Sequence, residues 1–72
     1  MNFGVIGYGY WGPNVVRNLE SLEDSQVLAI AEMSPAARLR VQKAYPGINV
    51  TPDALDLISS PKIDAVAVVT PV

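Results

Sequence analysis

The chain has 72 residues and a mass of 7.7 kDa, which leaves room for one small domain. Half of the residues are hydrophobic and 17% are charged, a balance that excludes a disordered tail. Five Lys and Arg against seven Asp and Glu give a net charge of −2 with no basic run, which disfavours nucleic-acid binding, and the absence of Cys and His removes disulfides, zinc sites, thiol nucleophiles and imidazole bases.

A domain of this length buries only about 60% of the surface its unfolded chain exposes. A mean hydropathy of +0.27 is high for such a chain and implies burial against something further. No basic n-region precedes an apolar run, so no signal peptide is visible. The aliphatic runs Val27 to Ala31 and Ala65 to Val69 fall far short of the ~18 residues of a membrane span. A soluble, cytoplasmic chain without membrane or nucleic-acid partners is expected.

Phe3 to Ile6 is a short apolar run that does not alternate, as expected of a strand buried on both faces. After Gly7 to Pro13, too glycine-rich for regular structure, Val15, Val16, Leu19 and Leu22 recur at helical spacing. Arg17, Asn18, Glu20 and Ser21 face away from that stripe, and Glu23 to Gln26 end the helix. Val27 to Ala31 is a second buried strand. Ser34 is placed to cap a helix from Ala36 towards Tyr45, with Pro35 in its first turn and Ala37, Val41 and Ala44 on the core side. Pro46-Gly47 stops it. Ile48 to Thr51 reads as a third strand and Pro52 to Ile58 as a short helix capped by Thr51. Ile63 to Thr70 is the strongest strand, closed by Pro71. Four non-alternating strands interleaved with three helices predict an α/β fold, a partial Rossmann fold with parallel strand order 3-2-1-4 and helices on both faces.

Gly7, Gly9 and Gly12 form G-x-G-x-x-G between the first strand and the first helix, the context in which that pattern carries meaning. Gly7 allows the sharp turn, Gly9 lets a pyrophosphate approach the backbone, and Gly12 lets the helix pack closely. The amides of Tyr10, Trp11 and Gly12, near the positive end of the helix dipole, are expected to face the phosphates. Glu32 lies twenty positions after Gly12, where a carboxylate accepts from the adenosine ribose hydroxyls and repels a 2′-phosphate. NAD is therefore favoured over NADP. Arg38 is positioned to stack on adenine or meet a phosphate. Thr70 and Pro71, at the end of the fourth strand, face the glycine loop across the crevice and are expected to touch the pyrophosphate or the inner ribose. Tyr8 and Tyr45 read as packing residues, and Asp53, Asp56 and Asp64 as surface carboxylates; no metal site is assigned.

Gly4 to Asn14 (GVIGYGYWGPN), Ala31 to Pro35 (AEMSP), Tyr45 to Gly47 (YPG) and Ile63 to Pro71 (IDAVAVVTP) together resemble the N-terminal region of the Gfo/Idh/MocA oxidoreductases. The resemblance covers essentially the whole chain, and the form of its glycine loop is similar to members acting on nucleotide-linked or amino sugars. Glu32 stands where many relatives carry Asp. The resemblance implies an NAD(P)-dependent dehydrogenase of sugars, inositols or nucleotide sugars, with a sugar substrate only in a complete protein. It also implies a longer chain in which a Lys within Glu-Lys-Pro supplies acid–base chemistry. Residues 1–72 are thus expected to be a truncated N-terminal dinucleotide-binding domain, with the catalytic domain absent, no catalytic residues and no turnover. The last strand is expected to leave a hydrophobic edge open to self-association. Rival readings are a non-catalytic nucleotide-binding or assembly module and an S-adenosylmethionine-binding domain; Gly12 opening the helix disfavours the latter.

Overall fold

The computed structural model describes residues 1–9 and 11–69. Strands β1 (Asn2–Ile6), β2 (Gln26–Ala31), β3 (Asn49–Thr51) and β4 (Ala65–Val68) alternate with helices α1 (Gly12–Ser21), α2 (Pro35–Ala44) and α3 (Ala54–Ile58). All strand pairs are parallel, and the sheet order is β3-β2-β1-β4. The rhythm of strands and helices and the strand order follow the sequence reading.

The placement of the helices follows from side-chain alternation along β1. Val5 joins Val16 of α1, Ile30 of β2 and Val41 of α2 in the core, all four without exposed surface. The neighbouring residue, Gly4, points the other way: a Cβ there would lie 3.2 Å from Leu57 of α3 and 3.1 Å from Ile63. Helices α1 and α2 therefore cover one face of the sheet and α3 the other. Between β1 and β2 the register jumps from Phe3–Val27 to Gly4–Ala29, so Leu28 is an extra residue, a β-bulge.

Several local expectations change. The cap of α3 is Asp53, whose side chain accepts from Leu55 N at 2.9 Å, and not Thr51. Thr51 remains in β3, where its hydroxyl accepts from Asp53 N and donates to Asp56 at 2.6 Å. Ala44 is exposed and not on the core side, because the buried stripe of α2 ends at Val41. Strand β4 is not buried on both faces: Val66 and Val68 are 38% and 66% exposed. They lie on the face of Gly4 and Ile6, their register partners. Helix α3, five residues and hence about 7.5 Å long, packs on β1 and β2 and is too short to cover a third strand as well. The predicted end of that strand, Thr70 and Pro71, lies outside the described residues, as does Tyr10.

At the amino ends of the strands a polar lattice fixes the register. Asn2 N donates to Asp64 Oδ2 at 2.7 Å, Asp64 N donates to Asn2 O at 2.8 Å, and Gln26 Nε2 donates to Asn2 Oδ1 at 2.9 Å. Among the described residues no helix is long and apolar enough to cross a membrane.

With so few fully buried side chains, each one matters. A chain of this size has about 4–11 kcal/mol of total stability. Truncating Ile30, at the junction of three elements, to Ala is expected to remove ~2–5 kcal/mol, enough to leave much of the population unfolded in a urea titration.

Candidate functional site

A tight turn carries the chain from β1 into α1. Gly7 adopts φ 96°, a conformation open to glycine at little cost, and its N–H donates to Ala31 O at 2.8 Å. The turn is thereby fastened to the end of β2. Alongside, Val69 N donates to Ile6 O and Glu32 N to Thr51 O, both at 2.8 Å, so neighbouring strand ends are aligned on one edge.

Tyr8 folds back beneath this loop and is 4% exposed. Its ring occupies the space that a side chain on Gly12 would need: a Cβ there would meet ring carbon Cδ1 at 3.1 Å. The close approach that Gly12 permits is thus helix against tyrosine rather than helix against strand. The Gly12 amide, expected at the phosphates, donates instead to Gly9 O at 3.2 Å within the loop. A Cβ on Gly9, by contrast, would meet nothing within 4 Å. That side of the loop is open to an approaching group.

Glu32, immediately after β2, uses both carboxylate oxygens. Tyr8 N donates to Oε1 and Ser34 N to Oε2, each at 2.8 Å. The carboxylate therefore joins the glycine loop to the loop that opens α2. Ser34 caps α2 as expected, with its hydroxyl accepting from Ala37 N at 3.3 Å. A carboxylate offers about four lone pairs, so each oxygen keeps capacity for a further donor.

These residues border a cleft of about 740 Å³ over the carboxyl ends of β1, β2 and β3. Ile6, Gly7, Gly9, Glu32 and Ser34 form one side, and Pro52, Asp53 and Ala54 at the start of α3 form the other. Of the predicted site residues, Gly7, Gly9 and Glu32 come together here. Gly12 lies behind the loop against Tyr8, and Trp11 is 63% exposed at the start of α1, outside the cleft wall. Arg38 is not among the residues that line the cleft, and its Nη1 donates to Glu32 O at 2.8 Å and Met33 O at 2.9 Å. Among the described residues, the cation that borders the cleft is Arg40 of α2. Asp53 was missed as a wall residue. A visible signal existed, since an acidic cap opening a helix after a strand end must stand on this same edge.

Two outcomes test this geometry. Gly7→Ala forces a Cβ into the left-handed region and is expected to cost ~1–2 kcal/mol in a denaturant titration. The Tyr8 phenol is held above its ordinary value of 10.0 by burial, then by the charge of Tyr45, with Arg40 opposing. Because the folded state favours the protonated phenol, its stabilising effect is complete below pH 10.0 and is lost as pH rises through the raised value. Alkaline unfolding followed by circular dichroism should be shallower in Tyr8→Phe than in the wild type.

Comparison with known proteins bears on what this cleft belongs to. A probable dehydrogenase from Thermotoga maritima superposes with a TM-score of 0.89 at 27% identity, covering 99% of this chain and 21% of that one. A putative myo-inositol dehydrogenase from Sinorhizobium meliloti 1021 gives 0.84 at 33% identity, with 99% and 21% covered. The scyllo-inositol dehydrogenase from Lactobacillus casei, solved with bound NAD(H) and scyllo-inositol, gives 0.81 at 27%, again covering 99% and 21%. The chain thus spans about a fifth of the length of these solved structures. No curated protein matches it. The model of the Gfo/Idh/MocA oxidoreductase family, NAD-binding Rossmann fold, matches residues 1–72, and with the strand order and glycine turn already described this shows that the chain belongs to that family.

Proposed function

We propose that the cleft holds the adenosine half of NAD, in the nucleotide-binding part of a dehydrogenase that acts on a hydroxyl carbon of a sugar or nucleotide sugar. The observation that carries this reading is the Glu32 carboxylate, fixed by two amides at 2.8 Å beside the open face of Gly9. Gly7 and Gly9 leave room for the pyrophosphate on the open side of the turn. The remaining lone pairs of Glu32 accept from the ribose hydroxyls. Thr70 and Pro71 take the inner ribose side. The bound dinucleotide supplies the hydride chemistry, and these residues supply position and charge.

Glu32 also sets the preference for NAD over NADP. A 2′-phosphate would be brought against a carboxylate that cannot swing away without releasing two amides. At 4 Å, two unit charges in a partly exposed site repel by about 4 kcal/mol at an effective dielectric of 20. Arg40 on the same wall offsets part of that repulsion, so the preference is expected to be a matter of degree. A polyhydroxylated substrate is supported by the inositol dehydrogenases among the similar structures. The Glu-Lys-Pro segment implied by the family resemblance does not occur among these 72 residues, so hydride transfer from a sugar by them alone is not expected.

Titration calorimetry with NAD, ADP-ribose and NADP tests the reading. NAD and ADP-ribose should bind with similar affinity, because the cleft residues face the half they share, and NADP should bind more weakly. Glu32→Gln, which keeps shape but loses charge, should weaken NAD about tenfold and narrow the NAD-to-NADP ratio. An unchanged ratio would remove Glu32 from this role.

A further inference from the structure

We propose that Arg38 is a positioning residue that aims the Glu32 carboxylate through the intervening peptide group, without touching the dinucleotide. The proposal rests on the cofactor reading above. Arg38 is half-buried in the first turns of α2, and its Nη1 is shared between the carbonyls of Glu32 and Met33, at 2.8 and 2.9 Å. The Met33 carbonyl and the Ser34 N–H belong to the same peptide unit. That unit is planar and trans, as no cis bond occurs among the described residues, so its C=O and N–H point in opposite directions. Holding the oxygen on one side therefore turns the N–H to the other. There it donates to Glu32 Oε2 at 2.8 Å.

The guanidinium, the peptide group and the carboxylate form one chain of hydrogen bonds. Each bond polarises the next, and the positive end lies at Arg38 and the negative end at the cleft. Ser34 stiffens the same segment by capping α2 at 3.3 Å, which holds Arg38 and the loop to a single helix start. A lone pair of Glu32 is thus directed by three fixed points: the Tyr8 amide, the Ser34 amide and, one peptide removed, Arg38. Such a carboxylate need not lose side-chain freedom on meeting a ribose, which is where a preorganised site gains affinity.

The test pairs Arg38→Met, which keeps the aliphatic stem and removes the donors, with Arg38→Lys, which keeps a donor able to reach two carbonyls. Amide hydrogen exchange measured by NMR without ligand should show faster exchange at Ser34 in Arg38→Met and recovery in Arg38→Lys. Calorimetry should show NAD binding weakened about tenfold in Arg38→Met and restored by Lys. The double variant Arg38→Met, Glu32→Gln should bind NAD no more weakly than Glu32→Gln alone, because the two changes act along one path. Additive losses would assign Arg38 a direct contact with the cofactor and overturn the positioning role. So would unchanged exchange at Ser34, or unchanged NAD affinity in Arg38→Met. A wild-type chain that binds no NAD overturns the cofactor reading and this role with it, whereas normal wild-type binding beside an unaffected Arg38→Met overturns the positioning role alone.

Discussion

Parallel pairing places every strand's carboxyl end on one edge of the sheet, and the rest of this structure is arranged around that constraint. Each strand that ends there must hand its chain to a helix, so the edge collects turns, caps and helix starts. Gly7, Glu32, Ser34 and Asp53 come from three different connections, yet all stand on it. The opposite edge receives only the amino ends and is closed by Asn2, Gln26 and Asp64. One edge is thus consumed by fixing register, which leaves the other free for a ligand.

Much of this was legible in the residues. Uninterrupted apolar strands separated by amphipathic runs admit few arrangements besides a helix-covered parallel sheet, and Ser34-Pro35 announces its helix through cap chemistry alone. The glycine turn was legible because each of its glycines answers a separate steric demand. Arg38 and Arg40 were not. Both lie on the polar face of α2, and which one reaches the cleft depends on where the helix axis points after packing on β3, a fact with no local signature. The cap of α3 was misread for a related reason: Thr51 and Asp53 are both good caps, and the choice falls to the residue freed from β-pairing. Thr51 is still paired with Ala31. The uncovered face of β4 follows from the length of α3, which the sequence reading puts at seven residues, Pro52 to Ile58, against the observed five.

Glu32 shows how a charged group serves fold and site together. The same two bonds that fasten the glycine loop to the start of α2 also fix where negative charge stands in the cleft. Stability of the loops and the placement of the carboxylate at the cleft are therefore not separable properties at this position. Tyr8 plays the complementary part from beneath. Its main chain donates to the carboxylate while its ring fills the hollow under Gly12, so that one residue couples the packing of α1 to the electrostatics of the cleft.

The bulge at Leu28 has a further meaning for heredity of the sequence. Val27 and Ile30 are three positions apart, an odd spacing that regular alternation would send to opposite faces, yet both reach the same core. The extra residue resets the phase of β2 midway. Everything after it, including Ile30, Ala31 and the outward turn to Glu32, is timed to the second half of the strand. Loss of a single codon here would leave composition and hydropathy almost untouched. It would nevertheless oblige either Val27 to leave the core or the end of β2 to rotate away from the cleft.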